Sequence, residues 1–328
     1  MPKNLDNTKL TIGFITYGKS TFKYLPYFLD SLFKQSYLGF EILAVDCTDD
    51  GGKSNLEILN KYPQINIIQK GKNFGFAKSY NLMINEAVKN GAEYFLAINP
   101  DMILDNRAVE KMFDVIIADN KLASVAPKIY KWNFKENAPV SDDEKTNVID
   151  SFGIKLKNGF RFFDIGHGKF DQGQFDKSVI LGPSGAAAMY RVRALEKVKF
   201  DNQYFDELMF MYKEDCDLAY RLFLAGYKSK LAINAKIYHD RTAGAIGENK
   251  ISIALNRKNK SKQIKKWSLS HHLIIIKKFW KIQSFINKVA IISYILLMFI
   301  FSLIFEQYLL KEFFKVFKIK VVKVKIIE

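Results

Sequence analysis

Tyr94–Asp101 reads YFLAINPD, five strand-forming apolar residues that stop at Asn99-Pro100-Asp101. A continuous apolar run this short predicts a strand buried on both faces, and the proline after it breaks the backbone and presents a carboxylate at its end. The pattern recurs upstream. Leu10–Tyr17 (LTIGFITY) is apolar and β-branched, and Phe40–Val45 (FEILAV) is a second buried strand ending on Asp46. Between them, Leu25, Phe28, Leu29, Leu32 and Phe33 fall at helical spacing within Tyr24–Gln35. A helix near Lys53–Lys61, a strand Ile65–Gln69, and helices near Phe76–Asn90 and Asn106–Asp119 complete a βαβα rhythm. That rhythm predicts a mainly parallel sheet flanked by helices, whose ligands bind beyond the carboxyl ends of the strands. Asp46 and Asp101 each stand at such an end.

Downstream, residues 132–178 loosen into polar, glycine-containing loops with a β-hairpin. Ile180–Tyr190 (ILGPSGAAAMY) is a glycine turn entering a strand, and Tyr212–Gly226 (YKEDCDLAYRLFLAG) is a helix opened by acids and closed by glycine. Lys228–Ile233 and Ala235–His239 are expected as two short strands.

The 328 residues carry a net charge of +16. Residues 241–328 hold 18 Lys+Arg and four acids, a net +14, so the excess belongs to the tail. The same tail contains an uncharged apolar run, Val289–Phe305. Seventeen helical residues reach about 26 Å at ~1.5 Å each, close to a ~30 Å hydrocarbon core. Three readings stand for it: a basic amphipathic helix on an anionic bilayer, a short spanning helix, or a helix buried on the main domain. Nucleic acid is disfavoured as a partner, because the first 240 residues are near neutral and the basic part is apolar. Two cysteines exclude a disulfide framework, and the polar start MPKNLDNTK has no leader pattern, so a reducing compartment is expected.

Several residues could carry chemistry. Asp46 precedes an Asp- and Gly-rich turn (Thr48–Gly52) and is either part of that turn or a ligand contact. Asn73–Asn81 opens a helix, either as a capped start or as an anion site. Asp101 serves either as a helix cap or as a carboxylate for a hard cation that draws its other ligands from water and phosphate. Glu214 and Asp215 lie beside Phe205, Phe210 and Tyr212, which predicts partial desolvation and a raised pKa suited to a proton acceptor. Asp217 and Arg221 are spaced as an i,i+4 ion pair. His239 ends a short strand. No Ser or Cys stands in a nucleophile elbow, so a hydrolase triad is not supported.

Taken in order, strand–Asp46, NFGFAKSYN, NPD, GPSGAAAMYR, FMYKEDCDLAYR and YHDRT resemble the family 2 glycosyltransferases, in particular their rhamnosyltransferase-like branch, over about residues 9–242. The resemblance implies a GT-A, Rossmann-like mixed α/β fold over residues 1–242; the tail resembles the family only loosely, and its charge and apolar run predict a basic helical membrane-associated region over 243–328. The resemblance implies transfer from dTDP-rhamnose or a UDP-hexose to a saccharide or polyprenyl-linked acceptor; one base with no second carboxylate nucleophile implies inversion, and the basic tail implies the cytoplasmic face of the plasma membrane. Thr16, Asp46, Asn73, Gly75, Asn81, Asn99 and Asp101 are then expected on the nucleotide-sugar side. Asp101 and His239 would hold Mg²⁺ or Mn²⁺, Asp215 would act as base beside Glu214, and Gly182, Gly185, Ala186 and Arg221 would lie on the acceptor side. Asn99 departs from the family's DxD motif, which weakens the implied metal site, and Cys47 stands where Asn is common. The alternative is an inactive nucleotide-sugar-binding or scaffold protein of the same fold.

Overall fold

The computed structural model describes residues 9–48, 53–69, 71–241 and 260–322. The expected turn around Asp49–Gly52, the polar start and the boundary at 242/243 lie outside the described residues. Strands β1 (Leu10–Thr16), β2 (Phe40–Asp46), β3 (Ile65–Gln69), β4 (Tyr94–Ile98), β5 (Met102–Leu104), β6 (Leu122–Trp132), β7 (Lys145–Ser151), β8 (Ile154–Lys157), β9 (Arg161–Asp164), β10 (Ala187–Arg191) and β11 (Lys228–His239) alternate with helices. These are α1 (Gly18–Phe22), α2 (Leu25–Phe33), α3 (Lys53–Leu59), α4 (Gly75–Lys89), α5 (Ala108–Ala118), α6 (Val192–Val198) and α7 (Glu214–Leu224). The tail adds α8 (Lys262–Phe279), α9 (Phe285–Phe305) and α10 (Leu310–Lys318).

Among the described residues one sheet runs β3-β2-β1-β4-β10-β6-β11-β5, with β7 paired to β6; β8 and β9 form a separate hairpin. β1–β4, β6 and β11 point one way, and β10, β5 and β7 run antiparallel to their neighbours. Both faces are apolar and covered, with Phe14, Phe28, Leu96 and Met112 on one side and Tyr80, Phe95, Leu195 and Leu218 on the other. This matches the uninterrupted apolar runs seen in the sequence. The two strands expected over 228–239 are one strand, kinked where its pairing with β6 shifts between Ala232 and Lys236. β5 is too short for periodicity to reveal and exists because β11 offers it a partner.

These strand directions set the site. The carboxyl ends of β1, β2, β4 and β11 and the starts of β10 and β5 share one rim, since Thr16 pairs with Asp46, Ile98 with Ala187, and His239 with Met102.

The tail divides in two. Helix α8 packs Leu269, Leu273, Ile274, Ile275, Ile276 and Phe279 against Cys216 and Tyr220 of α7 and Phe160 and Phe162 of the hairpin region. Lys278, fully buried, makes ion pairs of 2.8 Å with both Asp206 and Asp217. Helix α9 instead touches the body mainly along one stripe: Ile291, Ile295, Met298, Phe299 and Ser302. Most of its other apolar residues, from Phe285 to Phe305, are exposed.

Candidate active site

Asn99 follows β4, and its N–H donates to the Ala186 carbonyl at 2.9 Å, tying the Asn-Pro-Asp turn to the entrance of β10. The Asp240 N–H donates to the Asp101 carbonyl at 3.1 Å, fixing the same turn to the end of β11. This brings His239 Nε2 within 3.3 Å of Asp101 Oδ2, while its Nδ1 lies 2.9 Å from Asp150 Oδ2. Burial by itself lowers the basicity of His239, but the two carboxylates outweigh burial and push its pKa up to about 10. Asp150 is buried, which disfavours its charge, yet Arg241 and His239 hold it well below the usual carboxylate range. Arg241 Nη1 reaches both Asp150 and Asp164 at 3.3 Å.

Opposite stands the start of α7. Tyr212 and Lys213 have φ of 71° and 79°, a left-handed pair without glycine. That strained turn aims the following acids inward and is braced by the tail, where His271 Nδ1 bonds the Tyr212 carbonyl at 2.9 Å. Asp215 Oδ2 accepts from the Gly185 N–H at 2.9 Å, and its Oδ1 from the Cys216 N–H at 2.7 Å. Glu214 is buried with Oε2 unpartnered, and burial followed by the neighbouring Asp215 holds its carboxyl well above the usual range. The raised pKa expected of this acid pair is thus found on Glu214.

Asn99, Asp101, Gly185, Ala186, Glu214, Asp215 and His239 line one cavity of about 400 Å³, with Phe76, Phe162, Asp164, Lys213 and Arg241. Lys260 and Ser268, from the tail, also line it.

Other expected site residues sit elsewhere. Asp46 is buried at the rim, its Oδ1 accepting from Thr16 at 2.7 Å and Thr48 at 2.8 Å, and its Oδ2 has no partner among the described residues. Thr16 therefore holds the Asp46 carboxylate in place. Asn73 accepts from the Gly75 N–H at 2.9 Å. Gly75 has φ 71°, and an added Cβ would meet the Phe210 carbonyl oxygen at 2.5 Å, so only glycine fits there. Asn81 lies away from the cavity: its amide oxygen accepts from the N–H groups of Tyr204 and Phe205, and its nitrogen donates to Phe205 and Glu207. Arg221 is buried against Asp217 at 2.8 Å and the carbonyls of Val198 and Tyr204, outside the cavity lining. Gly182 also falls outside the lining, because its Cα abuts Ala219 of α7, where any Cβ would overlap. These three position the loops around the cavity.

Asp150, Asp164, Arg241 and Lys213 were not assigned a role from sequence. Asp150 follows only two apolar residues, Val148 and Ile149, in the otherwise polar strand β7 (KTNVIDS), a much weaker signal than the apolar run that ends on Asp46.

Among the described residues no group of three or more His, Cys, Asp or Glu is arranged as a metal site. Asp101 nevertheless fits a cation that takes most of its ligands from elsewhere, since Oδ1 is buried and unpartnered beside His239. His239 would have to give up a proton to join it.

The family model for glycosyl transferase family 2 matches residues 11–199, and that for glycosyl transferase family group 2 matches residues 156–314. No curated protein matches the sequence. Among solved structures, GalNAc-T7 with UDP, GalNAc and Mn²⁺ superposes with a TM-score of 0.56 at 11% identity, covering 83% of this chain and 48% of that one. The chain thus spans about half the length of that structure. S. aureus TarS 1–349 gives 0.47 at 19% identity, over 83% and 72% of the two chains. With a mixed GT-A sheet and a family model covering more than half of its length, the chain belongs to glycosyl transferase family 2.

Proposed function

We propose that the protein transfers a sugar, with inversion, from a nucleoside-diphosphate donor to a hydroxyl of a saccharide or polyprenyl-linked acceptor in cell-surface glycan synthesis. The observation that carries this reading is the cavity with Asp215, oriented by the Gly185 N–H, on one wall and Asp101 with His239 on another. The unpartnered, buried Oδ2 of Asp46 suits the imide N–H of uracil or thymine. That favours a UDP-hexose or dTDP-rhamnose, and the UDP in the GalNAc-T7 structure supports a uridine nucleotide.

In this reading the diphosphate lies against Asn99–Asp101 and the sugar faces Asp215. The acceptor oxygen bonds to the anomeric carbon as its proton passes to Asp215. The anomeric carbon–phosphate oxygen bond breaks, and its electron pair leaves with the nucleoside diphosphate. One displacement with no enzyme nucleophile inverts the anomeric centre. Asp101 and His239 would hold Mg²⁺ or Mn²⁺, which when bound offsets the charge of the leaving diphosphate. Burial and the neighbouring Asp215 raise the pKa of Glu214, which favours its neutral form and so fewer negative charges beside the base.

Helix α9 is 21 residues long with one charge, Lys288, and is long and apolar enough to cross a membrane. Because its Ile291–Ser302 stripe is packed against a body that α8 anchors, we read α9 as lying in the interfacial plane of the cytoplasmic face, not spanning it.

The test is a donor panel. UDP- or dTDP-sugars with Mn²⁺ should raise the melting temperature, and NMR of the product should show the inverted anomer. Asp215→Asn should keep donor binding and lose turnover by about two to four powers of ten. Binding with no transfer to any acceptor would favour the scaffold alternative, and near wild-type transfer by the variant would make Glu214 the candidate base.

A further inference from the structure

We infer that a second cavity, which shares strand β8 with the active-site cavity, binds the headgroup of an anionic phospholipid and seats the protein on its membrane. The inference rests on the membrane reading above. Strand β8 is the shared wall: Ile154 lines the catalytic cavity, while Lys155, Leu156 and Lys157 line the second. The second cavity has a volume of about 1190 Å³, above the roughly 300–1,000 Å³ of a small-ligand site, and suits an extended amphiphile.

Its chemistry is that of an amphiphile with a negative head. Lys155, Lys157, Lys228 and Lys230 stand around it against one acid, Asp119. None of the four lysines makes an ion pair among the described residues, although Lys157 lies over the Phe163 ring at 4.7 Å. Between the lysines the lining is apolar, and its outer members are strongly exposed: Val179 (86%), Ile286 (80%) and Phe223 (57%). Four lysines beside exposed apolar residues leave both a charge and a surface unsatisfied, and an anionic lipid satisfies both.

The cavity is also continuous with the apolar helix. Ile286 belongs to its rim and to the exposed side of α9. The hairpin turn is clamped to that helix, because the Gly159 N–H donates to Asn287 Oδ1 at 2.9 Å. A bilayer that receives Phe285, Ile286 and Val289 therefore brings its headgroups to the lysines. Since β8 also walls the active site, such seating fixes the height of the catalytic cavity over the bilayer.

The test measures sedimentation of the full chain with phosphatidylcholine vesicles and with vesicles containing 30 mol% phosphatidylglycerol (about that fraction, enough for a surface potential). A triple variant, Lys155→Gln/Lys228→Gln/Lys230→Gln, is compared with a charge-matched control, Lys61→Gln/Lys78→Gln/Lys89→Gln, whose lysines are exposed on or near α3 and α4. The cavity variant should lose on the order of a hundredfold in partitioning to anionic vesicles, and the control only a few-fold. Equal losses in both variants, or no loss in the cavity variant, would overturn the site while leaving membrane binding intact. Failure of the unsubstituted chain to bind either vesicle would instead refute the membrane reading, and the site with it.

Discussion

Lys278→Met tests whether the tail is part of the catalytic fold. In the native protein the ammonium of Lys278 sits fully buried, 2.8 Å from Asp206 and 2.8 Å from Asp217. Arg221 also serves Asp217, but Asp206 has no second cation among its described partners; its other contact is the Leu208 N–H. Removing the lysine leaves Asp206 a buried charge without compensation, and breaking a buried pair in this way costs about 3–5 kcal/mol. Methionine fills much of the vacated volume, so the loss is mainly electrostatic. Urea unfolding at pH 7 should show a deficit of about that size. The pH dependence supplies an independent check. Burial opposes the charge on Asp217, but Lys278 and then Arg221 hold its pKa below the usual value. Its favourable contribution is therefore present above about pH 4, the unfolded value, and is lost as pH falls through the folded one. The variant loses part of that contribution, so its deficit should shrink as pH drops below about 4. A deficit under about 1 kcal/mol at pH 7, or one that does not change with pH, would refute the reasoning and support a tail that is separate from the domain.

Other outcomes follow from the same geometry. Asp101→Ala and His239→Ala should each weaken nucleoside-diphosphate binding in Mn²⁺, while the double variant adds little because both act at one site; isothermal titration with and without EDTA reads this, and unchanged binding in EDTA contradicts it. Glu214→Gln should keep transfer activity and stabilise the fold at pH 7, because burial and the adjacent Asp215 disfavour the ionised carboxylate whereas glutamine carries no charge. As its folded pKa is raised, the ionisation penalty appears only above the unfolded value, so the gain should fade below about pH 4 in denaturant melts. Gly75→Ala should destabilise by about 1–3 kcal/mol, because alanine must adopt φ 71° against the Phe210 carbonyl; an unchanged urea midpoint would show that the loop relaxes freely.

The parts legible in the sequence are those written in local chemistry. Apolar runs bounded by Asn, Asp, Gly or Pro located β1 to β4, helical spacing located α2, and opening acids with a closing glycine located α7, because burial on both faces of a sheet or one face of a helix, and the needs of a helix's ends, constrain adjacent residues directly. Acids at strand ends marked Asp46 and Asp101, and the charge asymmetry isolated the tail. Tertiary structure decided what depends on residues far apart. β5 is a strand only because the distant β11 offers it hydrogen bonds, Ile237 pairing with Leu104 and His239 with Met102. Asp150 becomes a shared partner of His239 and Arg241 through the pairing of β6 with both β7 and β11. Asn81, Gly182 and Arg221 carry motif chemistry in the sequence, yet the packing of α7 and its neighbouring loops turns them to structural tasks. Most of all, one basic tail proved to be two things: α8 buried its apolar face and Lys278 on α7, while α9 kept most of its apolar surface exposed. Composition reads the two alike, because burial is set by which surface lies opposite, and that surface belongs to residues elsewhere in the chain.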